Sequence, residues 1–122
     1  MPQVEVQLFG HARSKPTRRA QRFFSDRRVG VHFVDLKVRG PSAGELRRWV
    51  QRFGVEAVLD PDSAGYAEQG LRYVSASDED WIARMVADPL VLRLPLARCG
   101  TDLAVGEDLD AWQRFADTVK GA

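Results

Sequence analysis

The first residues of the chain alternate between apolar and polar side chains, which predicts a β-strand over residues 3–9. The apolar members of this alternation are Val4, Val6 and Leu8. A period of two is the pattern of a strand with one buried face. Gly10 ends the predicted strand, and residues 11–14 are expected to form a loop.

A helix is predicted to follow this loop and to run to about Arg28. Pro16 suits a first helical turn, where its missing N–H costs nothing, and Ser14 is a favourable N-cap just before it. Apolar residues then recur at the i, i+3, i+4 spacing of one helix face. They are Ala20, Phe23 and Phe24.

The middle of the chain predicts a strand followed by helices. Residues 29–36 are rich in β-branched and aromatic side chains, as strands are. Ser42 and Glu45 have the spacing of a capping box at the start of a helix. Ser77 begins a further helix by a similar capping logic, and Pro89 stops it.

The end of the chain predicts a hairpin and a last helix. A strand is expected over residues 90–96, with Pro95 near its end, where a proline requires a special geometry. A hairpin turn at residues 99–102 joins this strand to a short partner strand. The last helix is expected to place Leu109 and the apolar residues that follow it inward.

The predicted order of elements is β-α-β-α-(α)-α-β-β-α. The early βαβ unit implies a right-handed crossover and parallel pairing of the first two strands. The later hairpin is antiparallel. We therefore expect an α/β fold, a four-stranded mixed sheet with helices on both faces, in a thioredoxin-like layout. Residues 1–122 are expected to form one domain.

Composition narrows the chemistry that the chain can perform. Its single cysteine, Cys99, excludes an internal disulfide, a CxxC redox pair and a cysteine-cluster metal site. Two histidines are too few for a zinc site without carboxylate ligands. No apolar run is long enough to span a membrane, and residues 1–10 lack the features of a signal peptide. We therefore expect a cytoplasmic protein with neither a metal site nor a membrane partner.

A net charge of +1 hides a basic cluster in the first predicted helix. Residues 13–28 contain one acid, Asp26, and several basic side chains. The basic residues are Arg13, Lys15, Arg18, Arg19, Arg22, Arg27 and Arg28. The cluster is either a solvated helix face or a surface for an anion or an acidic protein. A nucleic-acid partner is disfavoured, because the chain has no recognisable reader motif and is near neutral overall.

An ordered set of segments resembles the arsenate reductase (ArsC) and Spx family. The segments are VQLFG, SKPTRRA, VDL, PSAGELRRWVQRFG, residues 66–71, LRLPL and Val105-Gly106. The resemblance implies a thioredoxin-like, glutaredoxin-related fold with a helical insertion and a cis proline at Pro95. It also implies thiol-dependent arsenate reduction or, as in Spx-type members, contact with RNA polymerase.

The sequence departs from this family at the reactive positions. The resemblance places the catalytic cysteine of the reductases at Ser14 and the second cysteine of Spx-type members at Thr17. One oxyanion-holding arginine of the family has no counterpart in residues 60–65. Another is replaced by Leu94, with Arg93 one position earlier, which in a strand would face the opposite side.

Serine cannot take over the chemistry of the missing cysteine. Reduction of arsenate or a disulfide needs a sulfur nucleophile, and a hydroxyl ionises far less readily than a thiol. A serine nucleophile also needs a general base within reach, for which only His11 is near in sequence. A helix N-cap is the simpler role for Ser14. Cys99 is expected to be a small apolar filler.

We therefore expect a redox-inactive member of the family that acts as a binding or regulatory module. A basic first helix suits an acidic protein partner, and glutathione or a small oxyanion is a further candidate ligand. The residues expected to bind an anion or thiol ligand are Lys15, Thr17, Arg18, Arg93 and Pro95, and those expected to meet a partner are Arg19 and Arg22. The alternative is a glutathione-linked reductase or transferase of arsenate-reductase type that uses an external thiol. No resident cofactor is expected in either case.

Overall fold

A computed structural model describes residues 5–121, so Val4 of the first predicted strand lies outside the described part. The elements are β1 (Val6–Gly10), α1 (Lys15–Asp26), β2 (Val31–Asp35), α2 (Ala43–Phe53), α3 (Val55–Val58), α4 (Ala64–Glu68), α5 (Asp78–Ala87), β3 (Leu96–Cys99), β4 (Asp102–Val105) and α6 (Leu109–Gly121). Short 3₁₀ helices cover Leu71–Tyr73 and Pro89–Val91. Within residues 5–121, no helix is both long and apolar enough to cross a bilayer.

The chain forms two compact units. The first comprises the chain up to Arg39 and from Leu94 onward, and the second is Gly40–Arg93. The first contains all four strands together with α1 and α6, whereas the second is helical. We call them the sheet unit and the helical unit.

The sheet unit contains the predicted mixed sheet. Its strand order is β2-β1-β3-β4, with β1 and β2 parallel and the other two pairs antiparallel. The register pairs Leu8 with Phe33 on one side of β1 and with Ala97 on the other. Continued by one step, this register brings Pro95 beside Gly10, where β1 ends.

One face of this sheet packs against α1 and α6. The inward side chains of β1, β3 and β4 meet aromatic and small residues of the two helices. The cluster consists of Val6, Leu8, Ala20, Phe24, Val29, Ala97, Cys99, Ala104, Ala111, Trp112, Phe115 and Ala116. The alternation predicted for β1 is thus confirmed, with its apolar residues in the core.

The helical unit is built on α2 and α5. The predicted capping box starts α2: Ser42 Oγ accepts from the Glu45 N–H over 3.1 Å, and the Glu45 carboxylate accepts from the Ser42 N–H over 2.9 Å. A bidentate ion pair between Arg47 and Glu79, at 3.0 and 2.9 Å, links α2 to the first turn of α5. Trp49 and Trp81 are buried in this unit, as expected of helix-face tryptophans.

Two predictions about the later chain are wrong. The apolar run of residues 90–96 is not one strand, because Asp88 caps a 3₁₀ turn through the Leu90 N–H, and β3 begins only after Pro95. Leu109 is not inward but 60% exposed. It is the first residue of α6, and side chains of a helix lean toward its N-terminus, so this one extends past the helix end.

Candidate functional site

Hydrogen bonds fix the conformation of the loop between β1 and α1. The Ser14 N–H donates to the His11 carbonyl oxygen over 2.9 Å. The Arg13 N–H donates to His11 Nδ1 over 3.1 Å. The Arg18 guanidinium reaches back from α1 and donates to the Ala12 carbonyl oxygen over 2.7 Å. The loop is thereby tied both to itself and to the helix that follows.

Ser14 is the N-cap of α1, the role expected from its sequence position. Its Oγ accepts a hydrogen bond from the Thr17 N–H over 3.2 Å. Among residues 5–121, the Ser14 hydroxyl makes no hydrogen bond with the His11 ring, whose Nδ1 is engaged by Arg13. The hydroxyl is therefore placed to stabilise the helix, and the neighbouring imidazole does not activate it.

Most of the backbone N–H groups at the start of α1 are already engaged within the protein and are not available to an anion. A helix N-terminus attracts anions through backbone N–H groups that have no partner within the helix. Here the Ser14 N–H is bound to the loop, Pro16 has no N–H, and the Thr17 N–H is bound to Ser14. Within the described part of the chain, only the Lys15 N–H of this turn has no acceptor.

Thr17 is buried at the junction of β1 and α1. Its side chain is fully inaccessible to solvent, and its Oγ1 has no hydrogen-bond partner among the described residues. It lies against Gly10, where a methyl group would meet Thr17 Oγ1 at 2.7 Å. The role of Thr17 in ligand binding stays a prediction, and the position of the side chain assigns it to packing.

The charge at the start of α1 is positive, because its first turn has no acidic residue. Lys15 and Arg18 are both exposed there. Further along the helix, Arg19 forms a surface ion pair with Glu107 at 2.7 Å, while Arg22 makes no ion pair within residues 5–121. An exposed pair contributes little stability, so Arg19 remains able to exchange Glu107 for a competing carboxylate.

A shallow groove of about 450 Å³ runs between α1 and the start of α6. Its lining combines three basic residues in and directly after α1 with two acids and three apolar side chains: Arg19, Arg22, Arg27, Asp26, Glu107, Phe23, Leu109 and Trp112. The Arg27 guanidinium lies 3.6 Å from the centre of the Phe23 ring, a cation–π contact. Positive charge and accessible apolar surface therefore occur together on this side of the sheet unit.

Pro95 directly precedes β3 and follows a cis peptide bond, as the family resemblance implied. Its carbonyl oxygen accepts from the Gly106 N–H over 3.0 Å. The residue is buried, and the sheet register places it beside Gly10 at the end of β1. Of the two ligand-binding residues predicted in the later chain, Arg93 and Pro95, the sheet unit therefore contains only Pro95.

Arg93 belongs to the helical unit, and the strand argument made for it was wrong. Its N–H donates to the Val58 carbonyl oxygen over 2.8 Å, and its Nε donates to the Ala57 carbonyl oxygen over 3.2 Å. Since β3 begins at Leu96, strand alternation does not decide which way Arg93 faces. Its hydrogen bonds within the helical unit decide it instead.

Cys99 is the last residue of β3, not part of the hairpin turn, and is buried in the core of the sheet unit. Its Sγ lies 3.9 Å from the Phe115 carbonyl oxygen. Burial, and then the negative charge of Asp102, raise the pKa of this thiol. A raised pKa keeps the thiol protonated, and a protonated buried thiol is a poor nucleophile.

Sequence reasoning missed the part that Glu107 and Leu109 play beside α1. The pairing of Glu107 with Arg19 spans 88 positions of the chain. No local signal reports a contact of that range. The exposure of Leu109 could have been anticipated from its place directly after the capping residue Asp108.

Comparisons with known proteins agree on the family and on the fold. The model of the ArsC family matches residues 9–115. No curated protein matches the sequence.

Solved structures with similar folds cover almost the whole chain. The YffB protein superposes with a TM-score of 0.83 at 22% identity, covering 91% of this chain and 98% of that one. An ArsC family related protein from Bacteroides fragilis gives 0.84 at 15% identity, with 91% and 97% covered. The arsenate reductase from Vibrio cholerae gives 0.75 at 20% identity, with 98% of both chains covered.

The structural similarity establishes the thioredoxin-like fold with its four-stranded mixed sheet. The match to the family model establishes the family. The matched segment runs from the end of β1 to the middle of α6. It therefore includes the capped helix α1, the helical unit and the strand that follows Pro95. The chain belongs to the ArsC family.

Proposed function

We propose that this chain is an ArsC-family binding or regulatory module that performs no thiol reduction of its own. The observation that carries the proposal is the bond from the Thr17 N–H to Ser14 Oγ. Ser14 stands where the resemblance places the catalytic cysteine, and its oxygen caps a helix. An oxygen cannot form and release the bonds to arsenic or sulfur that a thiolate can.

The remaining sulfur of the chain does not supply the missing nucleophile. Cys99 is the only cysteine in the sequence. It is buried beneath α6, and its pKa is raised by burial. The chemistry that a reductase needs at the start of α1 is an accessible thiolate, so the position and the protonation of Cys99 both argue against a reductase.

The basic face of α1 is the surface that we assign to a protein partner. Arg22 makes no ion pair within the described residues, and Arg19 holds only an exposed one. The adjoining groove adds the exposed Leu109 and the half-buried Phe23. Clustered positive charge steers an acidic partner, and a central apolar contact holds it. The partner is therefore a protein with an acidic surface that carries an apolar anchor.

A paired charge reversal tests the surface. Proteins captured from a lysate by the wild-type chain are compared with those captured by a variant that combines Arg19→Glu and Arg22→Glu. Arg48→Glu, an exposed arginine on α2, is the matched control. The proposal expects a captured protein to be lost with the double variant and kept with the control. Capture that is the same in all three chains would contradict the assignment of this surface.

The second candidate is a glutathione-linked reductase or transferase that uses an external thiol. Its support is the position of Pro95 beside the end of β1, together with the exposed Lys15 and Arg18. The similar protein from Vibrio cholerae is described as an arsenate reductase. In this mechanism, Ser14 would stabilise the thiolate of the bound ligand instead of attacking a substrate.

A glutathione titration followed by amide NMR tests this second candidate. Binding in the expected place would shift the amide signals of Ser14, Lys15 and Leu96 in a saturable manner. Because the first turn of α1 leaves only the Lys15 N–H without an acceptor among the described residues, we expect no such shifts up to millimolar glutathione. Saturable shifts at these residues would favour the enzymatic alternative over the binding module.

A further inference from the structure

The helical unit contains a cavity whose lining lies wholly within Gly40–Arg93. Its volume is about 520 Å³. That size falls among small-molecule pockets, which range over roughly 300–1,000 Å³. The lining residues that matter here are Glu56, Leu59, Tyr66, Leu71, Arg72, Asp78, Trp81 and Arg93. None of them belongs to the surface assigned above to a protein partner, so this cavity is a separate feature.

Arg93 is the strongest recognition element of the cavity. It is half-buried, and its main chain and Nε are fixed by the carbonyl oxygens of Val58 and Ala57. The guanidinium has no carboxylate partner within residues 5–121, and its two Nη groups have no acceptor there. A fixed guanidinium with both Nη groups available matches the two oxygens of a carboxylate.

The rest of the lining provides apolar surface. Leu59, Leu71 and Trp81 are all buried. Tyr66 is half-buried, and its hydroxyl makes no hydrogen bond to another described residue. An aromatic ring or a branched chain would find contacts on these walls, and a polar substituent could bond to the phenol. Ligand pockets commonly combine such apolar walls with a few fixed polar groups.

Charge at the opening limits how many negative charges the ligand carries. Arg72, a second cation of the lining, is exposed, as are the carboxylates of Glu56 and Asp78. With two basic and two acidic residues in the lining, the cavity has no excess of positive charge for a polyanion. A ligand with one carboxylate gains the contact with Arg93 and avoids most of the repulsion from the two acids.

We propose that this cavity binds a small organic monocarboxylate, with its carboxylate on Arg93 and its apolar body against Leu59, Leu71 and Trp81. The site goes beyond the proposed function, because it requires neither a protein partner nor a thiol. The two therefore fail independently: the charge reversal on α1 leaves this site untouched, and changes at Arg93 leave the basic face of α1 untouched.

Amide NMR on the full chain tests the site with three probes of similar size. Phenylacetate is the monocarboxylate, 2-phenylethanol is its neutral counterpart, and phenyl phosphate carries more charge. We expect phenylacetate to shift the amide signals of Tyr66, Leu71 and Arg93 in a saturable manner. We expect 2-phenylethanol to bind at least about tenfold more weakly, the loss that one charge-assisted contact accounts for. Phenyl phosphate keeps a contact with Arg93, but Glu56 and Asp78 repel its additional charge, so we expect it also to bind more weakly than phenylacetate.

Substitutions assign the effect to the carboxylate contact. Arg93→Gln should weaken phenylacetate by about tenfold or more, and Arg93→Lys should fall between it and the wild type, because lysine keeps the charge and loses the fork. Glu56→Gln should tighten binding, a gain that misfolding cannot imitate. Arg48→Gln, an exposed arginine on α2 that does not line the cavity, should change nothing.

Several results would overturn the proposal. One is the absence of saturable shifts at the cavity up to about 10 mM phenylacetate, well above the millimolar affinity of a minimal site. A second is equal binding of 2-phenylethanol, which would remove the role of the carboxylate. A third is unchanged phenylacetate affinity in a folded Arg93→Gln chain.

Discussion

Gly10 and Thr17 meet so closely that a single added methyl group has a calculable consequence. At Gly10, a Cβ would lie 2.7 Å from Thr17 Oγ1 and 3.1 Å from Thr17 Cβ, and would also overlap Thr17 Cγ2. Both residues are buried between β1 and α1, so neither side can move into solvent. Gly10→Ala should therefore behave as overpacking of a core and lower the free energy of unfolding by about 1–3 kcal/mol.

Changing Thr17 should remove that cost in a way that depends on volume. Thr17→Ala deletes both atoms that clash, and it also removes a buried hydroxyl that has no partner within residues 5–121. Losing the methyl group costs about 1 kcal/mol, and losing an unsatisfied hydroxyl returns a similar amount. The single variant should thus be nearly neutral. In its background Gly10→Ala should cost much less, though the 3.1 Å Cβ separation still leaves some strain.

The assay is a double-mutant cycle by chemical denaturation, with Thr17→Val as the matched control. Valine removes the hydroxyl but keeps the volume, so it should not rescue Gly10→Ala. The cycle with alanine should give a coupling energy of about 1–2 kcal/mol, as residues in contact do. If Gly10→Ala costs the same in the wild-type and Thr17→Ala backgrounds, the reasoning about this junction is refuted.

Three further predictions concern a cap, a thiol and an ion pair. Ser14→Ala should lower the free energy of unfolding by about 1 kcal/mol, whereas Ser14→Asp should keep most of it; denaturation that finds the two variants equal would contradict the cap. Because burial raises the pKa of Cys99, the folded state favours the neutral thiol. The contribution of the neutral Cys99 thiol to the free energy of unfolding should be fully present below about pH 8.5. It should decline as the pH rises through the higher pKa of the folded state. Denaturation curves should show a smaller alkaline decline for Cys99→Ala. Hydrogen bonding to Arg47 lowers the pKa of Glu79, so a carboxyl NMR titration should find that pKa below the ordinary glutamate value and see it return toward normal in Arg47→Gln.

Much of the sheet unit could be predicted because its signals are local. The alternation through Leu8, the proline at the start of α1 and the hairpin after Pro95 each depend on neighbouring residues. Parallel pairing of β1 and β2 followed from the handedness of a βαβ connection. Periodicity and chain topology are enough for such elements, since they require no knowledge of distant contacts.

The segment before β3 could not be predicted in this way. Residues 90–94 are apolar enough for a strand, but a short buried run fits several backbone conformations. The carboxylate of Asp88 selects a 3₁₀ turn, and the carbonyl oxygens of Ala57 and Val58 then fix Arg93. The partners of Arg93 are more than thirty positions away, so neither its orientation nor the cavity could be derived from local pattern.

The sequence placed Ser14 at the start of a helix, as the structure has it, but the chemistry of this candidate site depends on contacts that sequence leaves open. Ser14 was recognised as a cap from its position before Pro16. Only the structure shows that Ser14 Oγ accepts from the Thr17 N–H. Only the structure shows, likewise, that one backbone N–H of this turn has no acceptor among the described residues. Because so few backbone N–H groups at the start of α1 lack an acceptor, this helix end is a poor binding site for an oxyanion.

The most direct test of the central claim, that this chain performs no thiol reduction of its own, compares the wild type with Ser14→Cys. The measurement is turnover of arsenate and of a mixed disulfide, with glutathione and glutaredoxin supplied. The account predicts no turnover above background in the wild type, because Ser14 has no redox chemistry and Cys99 is buried and protonated. Ser14→Cys introduces a thiol at the positive end of α1, and activity confined to this variant would identify the missing nucleophile as the difference. Turnover by the wild type that persists in Cys99→Ala would contradict the account, since an external thiol would then be performing the reduction on this fold.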